Sequence, residues 1–161
     1  MNPHAVNRWQ SLLLALSLAS VSGSCAYNSA VKRDINSPFY EIRPGTKLIL
    51  HKAITIPRER AHVTFGAGYY QGNCEFEVRT LGPGVVQPDT FIVTRASSER
   101  EWISEPNIMR FYRVLRLQSE RQPDVLQLVC QDWDGPLLGR NISVPEMRKA
   151  LGDTFSFEFA P

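Results

Sequence analysis

Apolar and polar side chains alternate over several short stretches of the chain, the two-residue period of a strand with one buried face. In CEFEVRT, Cys74, Phe76 and Val78 alternate with Glu75, Glu77 and Arg79. In DVLQLVC, Leu126, Leu128 and Cys130 share one parity, and near the C-terminus Phe155, Phe157 and Phe159 alternate with Ser156 and Glu158. Further β-like runs are KLILHKAITIP, AHVTFGAGYY and TFIVTR, separated by turn residues such as Pro44-Gly45. The segment NIMRFYRVLRLQSE admits two readings. As a helix it would begin at Ser104, with Pro106 in the first turn, and set Arg110, Arg113 and Arg116 on neighbouring turns as an anion-binding face. Its Phe, Tyr, Val and Leu content favours a strand, with Arg110 and Arg116 on one face and Arg113 on the other. On that reading all three are expected to be solvated surface charge.

One helix is well signalled. In SVPEMRKALGD, Ser143 is an N-cap followed three residues on by Glu146, a capping box. Pro145 falls in the first turn, where its missing N–H costs little, and Gly152 is a natural C-cap. Val144, Met147, Ala150 and Leu151 recur at three- and four-residue spacing, a narrow apolar stripe suited to covering a sheet. Short strands plus this helix predict a mainly β fold, an antiparallel β-sandwich or small barrel with one C-terminal helix.

The N-terminal end follows a different pattern. MNPHAVNRWQ carries Arg8 and no acid, and the apolar run Leu12 to Val21 is about ten residues, half of the roughly twenty a bilayer span needs. A run of that length followed by small residues is expected to be a signal peptide over residues 1–24. VSGSC resembles the lipobox of bacterial lipoproteins, which makes Cys25 the expected lipid-attachment residue; Ser22 departs from the aliphatic residue usual there. The alternative is ordinary cleavage after Ala26, with Ser24 and Ala26 as the small-x-small pair. Acylation would hold the protein on a membrane surface at about 0.8 kcal/mol per buried methylene. Residues 25–44, including AYNSAVKRDINSP, are polar and aperiodic and are expected to be a flexible tether. Residues 45–161 are then a single β-rich domain.

Either processing route removes Cys25 as a thiol and leaves Cys74 and Cys130, an even number in an exported chain. Both lie on the apolar parity of their strands, so a Cys74–Cys130 disulfide is expected. The net charge of +2 gives no case for a nucleic-acid partner. No cofactor or metal ligand set is expected, since there is no C-x-x-C motif and QDWDGP fits an EF-hand loop poorly. G-x-S-x-G and H-E-x-x-H motifs are absent from the sequence, which argues against an enzyme without closing the question. Candidate partner-binding residues are Tyr69 and Tyr70 in FGAGYYQGNC, paired aromatics able to stack on a sugar or grip a peptide, and Trp133, expected to cap the edge of the core.

With NCEFEVRTLGPG, QPDTFIVTR, RQPDVLQLVCQDW and PEMRKALGDTFSFEF together, the domain resembles a group of small exported proteobacterial proteins, some lipid-anchored, of unknown function. The resemblance covers roughly residues 45–159 and implies a strand-borne cysteine, a Pro-Asp turn, and a second cysteine before a C-terminal helix and strand. It carries over no functional residues. The expected role is a non-catalytic interaction or structural module in the cell envelope, partnered by a membrane surface and by an envelope protein or glycan. The alternative is an inhibitor or a glycan- or peptide-binding lipoprotein.

Overall fold

The structure, a computed structural model, describes residues 30–68, 72–104, 107–137 and 139–161. Among the described residues there are nine strands: β1 (Lys47–Leu50), β2 (Ile54–Ile56), β3 (His62–Gly66), β4 (Asn73–Val78), β5 (Gly84–Val86), β6 (Asp89–Ser104), β7 (Ile108–Gln118), β8 (Val125–Asp134) and β9 (Phe155–Glu158). Seven of them form one antiparallel sheet in the order β3-β4-β8-β7-β6-β1-β9, while β2 and β5 pair separately.

The fold is the mainly β, antiparallel architecture with one C-terminal helix that the sequence predicts, and its seven-stranded sheet curls into a half-barrel. Its outermost strands are β3 and β9, yet the rings of Phe65 on β3 and Phe155 on β9 are 5.4 Å apart, edge to face. A right-handed twist accumulated over seven strands brings the edges round towards each other. The C-terminal helix (Val144–Leu151) touches β3, β4 and β9 and fills the gap that remains. It does so with the expected stripe: Val144, Met147 and Leu151 are buried against Leu48, Phe76, Phe91, Leu128 and Phe155 in one core. Glu146 secures the first turn, accepting hydrogen bonds from the Ser143 backbone N–H at 2.7 Å and from the Ser143 hydroxyl at 2.6 Å. At the other end, Gly152 adopts φ +58° and donates its N–H to the Arg148 carbonyl, the left-handed exit that favours glycine.

Cys74 on β4 and Cys130 on β8 are directly opposed, with Cα atoms 4.0 Å apart, and form a disulfide within the core. The ambiguous segment is the strand β7. Its odd-numbered residues from Met109 to Leu117 are buried and its even-numbered ones are not. This corrects one expectation, since Arg113 is not solvated charge: it takes the inner face among the buried residues.

Other boundaries differ from the sequence pattern. KLILHKAITIP breaks at His51–Ala53 into β1 and β2, which join different sheets. β5 lies in GVV, a stretch too short to show a period. β6 runs sixteen residues, far beyond TFIVTR, and β1 pairs only with its Asp89–Ile92 portion. Beyond Val93, among the described residues, the side of β6 facing away from β7 carries no strand. The end of the stretch read as a tether rests on the domain. Ile42 is buried, and Tyr40 packs edge to face on Phe159 with ring centroids 5.5 Å apart.

Candidate functional site

The part of β6, β7 and β8 that extends past β1 leaves an inner face without a sheet opposite. Antiparallel register assembles that face in rows, because directly opposed residues point the same way. One row runs Ser98, Arg113, Cys130, Cys74, Phe65 across five strands, and the next holds Arg100, Phe111 and Asp132. Two irregular segments cover these rows. Residues 38–44 lie over the first, and the loop at 139–141 lies over the second, where Gly139 packs so closely on the Phe111 ring that a Cβ would fall 1.9 Å from it.

Between the 38–44 segment and the inner faces of β6 and β7 lies a groove of about 470 Å³. Arg113 stands in its floor, 3 % exposed. One guanidinium nitrogen donates to the Pro38 carbonyl, while the buried Nε has no partner. No described carboxylate forms an ion pair with Arg113, and burial alone pushes its guanidinium down from the ordinary arginine value. A buried cation without a counter-charge is costly. Lys32 and Arg43 also line the groove. Glu41, its one acidic lining residue, is taken up by Lys32 at 2.6 Å. Ser98 and Asn141 line the groove as well, and their side chains make no hydrogen bond among the described residues.

A smaller cavity of about 220 Å³ lies at the other end of these rows, lined by Gly66, Ala67, Gly72, Asp132, Glu146 and Lys149. Burial raises the Asp132 carboxyl above its usual range. Glu146 behaves oppositely: the Arg140 guanidinium, which grips both its oxygens at 2.9 and 2.6 Å, holds it down to about 2.

The outward face holds a hydrogen-bonded polar network rather than a site. Arg110 pairs with Glu101 at 2.9 Å, donates to Gln131 and lies 4.5 Å over the Tyr112 ring. Gln131 in turn donates to Asn73 at 2.8 Å.

Of the residues singled out from sequence, Cys74 and Cys130 meet in the disulfide. Cys25, Tyr69 and Tyr70 lie outside the described residues. Trp133 does not cap the core. It opposes Arg110 on the outward face, because the strand alternation that buries Cys130 turns position 133 the other way. Trp133 does not line the Arg113 groove. Among the described residues no group of three or more His, Cys, Asp or Glu side chains gathers as metal ligands. Among the described residues the one close histidine–hydroxyl pair, His51 Nε2 and Ser156 Oγ at 2.8 Å, is exposed beside β9 and lines neither cavity. No helix among the described residues is long and apolar enough to cross a membrane.

Sequence reasoning missed Arg113. The available signal was its place in the alternation, flanked at two-residue spacing by Phe111 and Leu115. No family model matches the chain, and no curated protein or solved structure shows significant similarity to it.

Proposed function

We propose that the chain is a non-catalytic binding module of the cell envelope, exported by its N-terminal segment, held on a membrane by lipid on Cys25, and contacting its partner through the Arg113 groove. The observation that carries this reading is the closed Cys74–Cys130 disulfide in the core, a bond that forms and persists in oxidising compartments and is rare in the cytosol. An open groove with unused polar groups supports binding. The exposed His51–Ser156 pair lies outside the linings of both cavities.

Two measurements test the proposal. Intact mass and N-terminal peptide analysis of the protein isolated from its membrane should find a mature chain that begins at a diacylglyceryl-modified Cys25 and has no free thiol. A chain beginning at Tyr27 overturns the anchor, and free Cys74 and Cys130 overturn the compartment. For the binding surface, a photo-crosslinking side chain at Ser98 should capture an envelope component that the same probe at exposed Arg116 does not.

The second reading, a glycan- or peptide-binding lipoprotein, is favoured by the 220 Å³ cavity. Gly66, Ala67 and Gly72, which bracket Tyr69 and Tyr70 in the chain, form part of its wall. Loss of glycan binding in Y69A and Y70A proteins, with S98-probe capture absent, would move the conclusion to that reading.

A further inference from the structure

We propose that the Arg113 groove is a binding site for an oxyanion, a carboxylate or phosphate group, with the Arg113 guanidinium as its central donor. This deepens the binding reading of the groove and rests on that part alone; neither the lipid nor the compartment enters.

Three observations converge. The first is the guanidinium itself, 3 % exposed, with one carbonyl partner, an unpartnered buried Nε, and no ion pair among the described residues. Arginine presents donors in a rigid fork that matches two oxygens of a carboxylate or phosphate, and the Nε–H of that fork is unused. The second is the electrostatic setting. In the walls Lys32 is paired with Glu41, the only acid there, and Arg43 donates to the Pro161 carbonyl, so the formal charge of the lining with Arg113 is positive. The third is supplementary hydrogen-bonding capacity: the Ser98 hydroxyl, one residue across the sheet from Arg113, and the Asn141 amide are both uncommitted among the described residues. An anion seated there would supply the counter-charge that the fold leaves out.

A purely structural account gives Arg113 the task of tying down the 38–44 segment through the Pro38 carbonyl. That bond occupies one nitrogen and stabilises the cation, but it supplies no counter-charge. Replacing an unpaired buried ion by an apolar side chain of similar size is often neutral or stabilising. The two accounts therefore separate experimentally.

The test uses the full-length protein purified in a non-ionic detergent. Thermal unfolding is followed with inorganic phosphate, acetate or chloride at matched ionic strength. Ligand that binds only the folded state raises Tm, so phosphate or acetate should raise it above chloride. The R113M protein should lose that rise, and R116Q, which removes an exposed outward charge, should keep it. Loss of a charged hydrogen-bonding donor should weaken oxyanion binding by about tenfold or more. The R113K variant retains charge without the fork and should fall between the two.

Sedimentation with vesicles of phosphatidylglycerol but not of phosphatidylcholine, lost in R113M, would assign the oxyanion to a lipid headgroup. A response to free phosphate or acetate alone would assign it to a soluble ligand or an acidic side chain. Either supports the site. Should R113M fail to fold, the Arg113 Nε–Hε resonance of the unmodified protein decides, since it should shift on phosphate titration. An unmoved resonance, or equal Tm responses in unmodified protein and R113M, overturns the proposal. A blank crosslink at Ser98 in the envelope combined with an intact phosphate response would instead remove the envelope partner and leave the oxyanion site standing.

Discussion

Asp132 and Glu146 line the same small cavity but are displaced in opposite directions by their surroundings. Glu146, held at about 2 chiefly by the Arg140 guanidinium, prefers to be ionised in the folded state. Its stabilising effect is complete above the unfolded carboxyl value near 4.5 and is lost as pH falls through about 2. The E146Q protein should therefore be less stable at neutral pH, by about 1 kcal/mol for a lost cap, with a flatter acid limb when urea unfolding is followed from pH 7 to 2. Asp132 carries the reverse sign: desolvation raises its carboxyl, so the ionised form is a burden to the fold at neutral pH and the burden lifts as pH falls. D132N should raise stability at pH 7 and give no gain in acid. An unchanged or lowered urea midpoint for D132N at pH 7 would count against this. At this scale the sequence was least informative. Charge identity was visible, but whether Arg113 faced water depended on which segment came to lie over it, and residues 38–44 are seventy positions away in the chain.

Secondary structure was far more legible where an element meets the core. The C-terminal helix carries its own start and stop signals, and Cys74, Phe76 and Val78 alternate because their strand has one buried face. The second half of β6 does not alternate. Its inner face is Ala96, Ser98, Arg100 and Trp102, of which only Ala96 packs against the main core, so no apolar period existed to be read. β5 was lost for a simpler reason, since three residues cannot show a pattern. The helix acts as the plug of an incomplete barrel, and its contribution should be large for its eight residues. Met147 is fully buried against both edges of the curl, so M147A should cost about 3 kcal/mol, read as a lower urea midpoint at unchanged m-value. A cost below about 1 kcal/mol would mean that the gap between β3 and β9 can close by itself.

For the molecule as a whole, the disulfide joins adjacent strands that are distant in sequence. It spans 56 residues and ties β4 to β8, the second and third strands from the β3 edge of the sheet. In the chain-entropy model such a loop is worth about 4 kcal/mol, a large share of the 5–15 kcal/mol typical of a domain. The C74S/C130S protein should unfold at markedly lower urea concentration, and reduction of the unmodified protein should reproduce that loss. Coincident curves for oxidised and reduced protein would show that packing alone holds the sheet. Pairing of the two cysteines was legible in advance from strand parity and even count. The curl was not, because closure depends on twist summed over seven strands and on whether Phe65 and Phe155 can meet, neither of which any local window contains.

The uncovered flank of β6 imposes a condition of its own. Its main-chain donors and acceptors are a ready template for a stray extended chain, the usual seed of fibrous assembly. The side chains along it, Arg95, Glu99, Arg100 and Glu101, mix both signs within seven positions. Many alignments of two copies along this border set like charges against each other, a common guard against polymerisation through an open strand.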